Sequence, residues 1–131
     1  MTMQPSGELL AEFDARLADE RTRTVTRLEQ LARSFDQIAA AAALAPPDDE
    51  HDPEGATVGF ERAQVSSLLA AARDHLAAID AAMVRLRAGD FGRCVDCDRV
   101  IAVDRLRARP TARSCITCAQ ELSDRRRRRH P

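Results

Sequence analysis

All four cysteines of the chain fall in two Cys-x-x-Cys pairs, Cys94/Cys97 and Cys115/Cys118, which are separated by 17 residues. Each pair forms a tight turn that directs two sulfurs at one point, and the intervening residues suffice to bring the second pair around the same ion. This is the spacing of a four-thiolate zinc site. Because four protein ligands leave no position open for water or substrate, the pattern predicts one structural zinc per chain and no catalytic metal.

Other interpretations of the cysteines stay open at this point. The four residues could form two disulfides, but residues 1–10 are polar and show no secretory signal, so we expect a reducing, cytoplasmic location. Spacing alone does not separate zinc from iron. A dithiol redox pair would explain only half of the motif, and a site that has lost its metal is the last alternative.

The composition limits the size and the class of the protein. The chain has 131 residues, with no tryptophan, no tyrosine and only four phenylalanines, so we expect a helical arm with a small appendage rather than a thick core. A net charge of -1 argues against a protein that binds nucleic acid over its whole surface, although it conceals an uneven distribution of acidic and basic residues along the chain. No apolar run reaches the length of a membrane span, and we therefore expect no membrane partner.

A first long helix is predicted from Glu8 to about Leu44, where the sequence contains neither proline nor glycine. Ser6 is its candidate cap. Apolar or small side chains recur every seven residues, with a second series four positions further on and Phe13 filling a gap near the start. The two series are Leu10, Leu17, Thr24, Leu31 and Ile38, and Leu28, Phe35 and Ala42.

A second long helix is predicted from Pro53 to Ala88, with a cap at Asp52 and a stop at Gly89. Its heptad positions are Val58, Val65, Ala72, Ile79 and Leu86, followed by Leu69, Leu76 and Met83. Since the connection between the two helices is short, they should be antiparallel neighbours that cover each other's apolar stripe.

The predicted fold class is therefore all-α dominated. A long antiparallel helical hairpin, in effect a coiled coil, should occupy residues 8–90 with its tip at 45–55. A four-cysteine zinc finger follows at 91–121, and a basic tail at 122–131. A short final helix is expected from about Cys115 to Arg126.

The predicted hairpin tip is rich in carboxylates. A charged loop is usually only a solvated turn, but two helices of about 36 residues would place this one at the end of an arm roughly 50 Å long. Carboxylates there could reach a recessed site that holds Mg²⁺ or basic side chains. The acidic residues of the tip are Asp48, Asp49, Glu50, Asp52 and Glu54.

A family resemblance rests on the stretch around the cysteines. This stretch reads Phe91-Gly92-x-Cys94-x-x-Cys97, then Ile101, Arg105-Leu106-x-Ala108-Arg109-Pro110-Thr111-Ala112, then Cys115-Ile116-x-Cys118 and Glu121. It closely resembles the zinc finger of the DksA/TraR family over about a quarter of the chain. One departure is Asp98, where the family usually has glycine. Aspartate tolerates the left-handed backbone better than most residues, so we expect the turn to persist.

The resemblance implies a transcription regulator that binds RNA polymerase and inserts its coiled-coil tip into the secondary channel, without sequence-specific DNA binding. The family tip pattern Asp-x-x-Asp-x-Ala falls here on His51, Glu54 and Ala56, so the first aspartate is replaced, with Asp52 beside it. Some members respond to guanosine tetraphosphate. Arg109 matches one basic residue of that response, whereas two others correspond to Ala78 and Ala119.

Two other functions compete with this one. The chain could be a zinc-binding coiled-coil adaptor that pairs with another protein or with a second copy of itself. It could also be a nucleic-acid-binding module that uses the arginine run 125–129. An enzyme is not expected, because no nucleophile–base pair, phosphate loop or open metal site is visible.

Overall fold

The computed structural model describes residues 6–44 and 53–129. Within these residues there are four helices: α1 (Gly7–Leu44), α2 (Pro53–Ala88), α3 (Val103–Ala108) and α4 (Ile116–Arg129). The β-pairing within the described residues is one isolated antiparallel bridge, between Arg93 and Val100. The long antiparallel α1/α2 hairpin, followed by the cysteine cluster and a short C-terminal helix, confirms the predicted fold class.

The start of α1 and the end of α2 are stabilised as the sequence predicts, whereas the predicted cap at Asp52 lies outside the described residues. At the start of α1 the backbone N–H of Leu9 donates to Ser6 Oγ at 3.3 Å, which satisfies one of the unpaired donors of the first turn. At the end of α2, Gly89 has a φ of 83°, and the N–H of Asp90 donates to the Arg85 carbonyl at 2.9 Å. This is the hydrogen bond of a Schellman cap, which requires the left-handed conformation that glycine adopts at little cost.

The heptad positions of both helices face inward. Every residue of the four predicted series is buried or half-buried, and Phe13, which was expected to fill the gap near the start of α1, is fully buried. The most buried members of the series are Leu17, Thr24, Leu69, Ala72 and Ile79. The two helices therefore use their apolar stripes inside one chain.

The chain divides into two compact units. One unit spans Arg21–Ala77 and has Thr24, Leu69 and Ala72 as its buried side chains, with the guanidinium of Arg62 lying 6.0 Å from the ring centroid of Phe35. The other unit contains the described residues up to Glu20 and from Ala78 onward.

The second unit has its own apolar core. The rings of Phe13 on α1 and Phe91 beside the finger are 5.2 Å apart at their centroids, tilted by 47°. Burial of these side chains joins the start of α1, the end of α2 and the finger into one cluster. The buried members are Phe13, Leu17, Ile79, Ala82, Phe91, Cys94, Ile101 and Leu106.

Two features of the helices differ from the prediction. The short helix α3 was not expected, and α4 continues to Arg129 instead of ending near Arg126. Arginine is a good helix former, and positive charge in a last turn interacts favourably with the helix dipole, so the run can prolong the helix. No helix of the described residues has the length and apolarity that a membrane crossing requires.

Candidate metal centre

The sulfurs of Cys94, Cys97, Cys115 and Cys118 all lie within 4.8 Å of one another. Cys97 Sγ and Cys115 Sγ are 3.8 Å apart. A tetrahedral zinc with Zn–S bonds of about 2.3 Å separates its sulfurs by about 3.8 Å, whereas a disulfide requires about 2.05 Å. The four cysteines are free thiols and their arrangement fits one tetrahedral ion.

The first cysteine pair is held by a tight turn of the backbone. The N–H of Asp98 donates to the Cys94 carbonyl at 3.0 Å, and the N–H of Cys94 donates to the Arg99 carbonyl at 2.8 Å. Asp98 has a φ of 63°, so aspartate adopts the left-handed conformation for which the family uses glycine. Its carboxylate also forms an exposed ion pair with Arg93 at 3.6 Å. The expectation that the turn persists with aspartate is confirmed.

The second cysteine pair lies at the start of α4. Cys115 immediately precedes the helix, and Cys118 is in its first turn. The backbone N–H of Cys118 points at Cys115 Sγ at 3.5 Å, and the N–H of Ala119 donates to the Cys115 carbonyl at 3.0 Å. A helix N-terminus carries partial positive charge, which favours thiolates over thiols.

A hydrogen bond between two polar side chains connects the two cysteine pairs, and the sequence did not predict it. The hydroxyl of Ser114, beside Cys115, donates to Asp96 Oδ2, between Cys94 and Cys97, at 2.7 Å. Arg105 Nε on α3 donates to the Ser114 carbonyl at 2.9 Å. These bonds connect the two pairs through groups other than the sulfurs and so help to orient the cysteines. Serine and aspartate next to ligands are too common for their types alone to have indicated such a contact.

The sulfurs differ in how easily they carry charge. Burial alone would raise the pKa of Cys94, but hydrogen bonds from the backbone of Cys115, Cys97 and Asp96 outweigh it and lower that pKa to about 6. The pKa of Cys118 is raised, first by its hydrogen bond with Cys115 and then by burial. A cation is therefore needed before all four can be thiolates together, and binding it releases protons.

Arg85 brings positive charge close to the first pair. Its pKa is lowered, chiefly by burial and then by the nearby charge of Arg113. Nη2 of Arg85 is buried and, among the described residues, has no hydrogen-bond partner. The side chain lines a cavity of about 360 Å³ together with Asp90 and Cys94. A cation beside a site of four thiolates is electrostatically favourable, because one zinc leaves such a site negative.

The residues of the predicted acidic tip are mostly not part of the described structure. Asp48, Asp49, Glu50, His51 and Asp52 all lie outside it. Glu54 belongs to the first turn of α2, but its side chain also lies outside the described residues, and Ala56 is exposed on the same helix. The tip therefore stays a prediction.

Arg109, the predicted effector contact, follows α3 and is exposed. Its backbone N–H donates to the Arg105 carbonyl at 2.7 Å. The two arginines lie at the edge of an otherwise mostly apolar cavity of about 370 Å³, next to the second cysteine pair. The remaining lining residues are Val100, Ala102, Ala108, Cys115 and Ile116.

Comparison with known proteins finds similarity both to a family model and to solved structures. Residues 89–123 match the family model of the prokaryotic dksA/traR C4-type zinc finger. The structure is similar to that of transcription factor DksA2 from Pseudomonas aeruginosa, with a TM-score of 0.76 and 26% sequence identity over 95% of this chain and 94% of that chain. Among curated protein sequences no significant match was found. Together with the sulfur geometry, the C4 match assigns one structural zinc to the four cysteines and favours it over iron.

Proposed function

We propose that the chain is a DksA-like transcription factor of the DksA/TraR zinc finger family, a non-enzymatic class, and that it regulates transcription by binding RNA polymerase directly. The similarity to DksA2 over 95% of the chain is the observation that carries this proposal. It means that the likeness extends beyond the 89–123 finger to the helical hairpin. We place the protein in the cytoplasm with its polymerase.

In the proposed mechanism, the tip of the hairpin enters the secondary channel of the polymerase and modulates initiation. The support comes from the family resemblance and from the carboxylates between α1 and α2, which are suited to hydrated Mg²⁺ or basic side chains. The finger stabilises the ends of the helices by sharing an apolar core with them, as the contact of Phe13 with Phe91 shows. The protein would act without reading a DNA sequence.

The direct test is binding to the polymerase core enzyme. Zinc-loaded protein should co-purify with the core at near-physiological salt, and the complex should persist without DNA. Absence of binding under these conditions contradicts the proposal.

The tip is tested separately with the double variant Asp52→Ala/Glu54→Ala. It should still bind the polymerase but lose its effect on initiation in a reconstituted transcription assay, because the carboxylates act only after docking. The matched control Glu29→Ala/Asp36→Ala removes two exposed carboxylates of α1 and should keep the full effect. A tip variant as active as the wild type would exclude these carboxylates from the mechanism.

We further propose Arg109 as a contact for guanosine tetraphosphate at the polymerase interface. Its exposure and the neighbouring Arg105 leave a guanidinium available to phosphate. Arg109→Ala should abolish any response of transcription to this nucleotide without changing activity in its absence. An unchanged response would remove Arg109 from the effector site.

The alternative function, a coiled-coil adaptor that dimerises through its heptad positions, has less support. Every heptad position is already buried or half-buried within one chain, so no apolar stripe of this series is left for a second copy. Light scattering after size exclusion distinguishes the two. A stable dimer would favour the adaptor.

A further inference from the structure

The arginine run at the end of α4 is a charged helix rather than an irregular tail. Residues 125–129 are five consecutive arginines, they are helical, and all of them are exposed. Successive residues are about 100° apart around a helix axis, so five in a row place positive charge on every side. Such a segment has no apolar face with which to pack, and no residue of α4 is buried.

The position of this segment is fixed by the metal centre. Cys118 lies in the first turn of α4, and Arg125 follows seven residues later on the same continuous helix, a rise of about 10 Å. The end of the helix is therefore held at a defined distance from the zinc site. Because the segment is already helical, binding does not carry the entropy cost of ordering a flexible tail.

The stretch of sequence that ends in the arginine run is also positively charged. Residues 99–129 contain ten arginines and three acidic residues, a net charge of +7, whereas the whole chain has -1. Of the five arginines outside the run, Arg99, Arg107, Arg109 and Arg113 are exposed as well. This end of the sequence is strongly basic although the protein as a whole is nearly neutral.

The density of charge identifies the partner. The run presents one positive charge per ~1.5 Å of helix rise, and duplex DNA carries one negative charge per ~1.7 Å of its axis. All basic residues of the run are arginine, whose planar guanidinium matches phosphate oxygens in bidentate geometry.

We propose that the arginine end of α4 binds the phosphate backbone of duplex DNA without reading its sequence. This is a second contact, separate from the contact of the protein with RNA polymerase. The major groove of a duplex admits an α-helix and has phosphates along both sides. Three to five of the side chains, which point around the whole helix, can therefore reach phosphates at one time. No base-reading element is required, since phosphate contacts carry no sequence information.

The test is the salt dependence of binding of the zinc-loaded protein to a fluorescent 20-bp duplex, followed by anisotropy. Three to five phosphate contacts predict a slope of log K against log salt of about -2.7 to -4.5, which means about 40- to 500-fold weaker binding when salt rises from 50 to 200 mM. A duplex of scrambled sequence should bind equally well.

The variant with Arg125, Arg126, Arg127, Arg128 and Arg129 all changed to glutamine should lose most of the affinity and most of the slope. The matched control changes five exposed arginines of the hairpin to glutamine and so alters the net charge equally. These are Arg21, Arg23, Arg27, Arg33 and Arg73. The control should retain binding, because its substitutions leave α4 intact.

Three results would overturn the proposal. The first is no binding to duplex DNA at 50 mM salt, and the second is equal loss in both five-residue variants, which would mean that only net charge matters. The third is a glutamine variant that binds DNA like the wild type but fails to bind polymerase core. That outcome would assign the arginine run to a protein contact. Circular dichroism of each variant shows whether the helices are retained.

Discussion

Replacing Phe13 by alanine should destabilise the zinc-finger unit, although Phe13 lies about 80 residues before the first cysteine. Its side chain is 0% exposed and its ring contacts that of Phe91, which is 4% exposed. Truncating a fully buried phenylalanine costs about 3–5 kcal/mol, from lost burial and from the cavity that remains. That is a large part of the roughly 5–15 kcal/mol by which a domain of this size is stable.

The ring contact itself can be measured with a double-mutant cycle. Phe13→Ala and Phe91→Ala should each cost about 3–5 kcal/mol. The double variant should cost less than the sum by about 0.5–1.5 kcal/mol, because the first substitution already removes the aromatic contact. Urea unfolding at a fixed, saturating zinc concentration, followed by circular dichroism, supplies the free energies.

Phe60→Ala is the matched control, because Phe60 is also on a long helix but is 72% exposed. It should change the free energy of unfolding by less than about 0.5 kcal/mol. If Phe13→Ala cost no more than this control, or if the two core substitutions were simply additive, the finger and the start of α1 would not share a core in solution. The reasoning about the base of the hairpin would then be wrong.

Three further predictions concern the finger and the cap before it. Chelation should remove one zinc per chain and disorder residues 91–121, and Cys94→Ser should likewise abolish zinc binding and disorder these residues. Much of the helical signal should remain in both cases. Metal analysis measures the zinc, and circular dichroism measures the helical signal. Gly89→Ala should cost about 1–2 kcal/mol, because φ is positive there although a Cβ would meet no neighbour within 4 Å; an unchanged unfolding midpoint would contradict this. Asp98→Gly should change the free energy of unfolding by less than about 1 kcal/mol, because glycine adopts the left-handed backbone conformation without strain and this gain offsets the loss of an exposed ion pair. A larger loss of stability in urea unfolding would mean that the ion pair matters more than its exposure suggests.

The fold could be predicted largely because the sequence patterns that specify it are local and periodic. Heptad spacing fixes which side of each long helix is buried, and every position of the series is buried or half-buried. Proline at 53 and glycine at 89 mark the bounds of α2 through steric rules that need no tertiary context. The two Cys-x-x-Cys pairs likewise specify their geometry by spacing alone.

The polar contacts around the metal could not be predicted, because they join residues that are distant in sequence and common in type. Asp96 and Ser114 are 18 positions apart, and no pattern distinguishes them from other exposed polar residues. The buried Nη2 atom of Arg85 could not be predicted either, since a last-turn arginine ordinarily indicates only an interaction with the helix dipole. The acidic tip stays a prediction, because most of it lies outside the described residues.

The size of the finger explains why it needs both the metal and the helices in order to fold. Between residues 91 and 121 the buried apolar side chains are Phe91, Ile101, Leu106 and Pro110, with Cys94 at 2% exposure. So small a set cannot offset the entropy of ordering some thirty residues. The metal supplies part of the difference, and burial against Phe13 supplies another part. A finger excised from its helices should therefore bind zinc more weakly than the full chain, which competition with a chelator would measure.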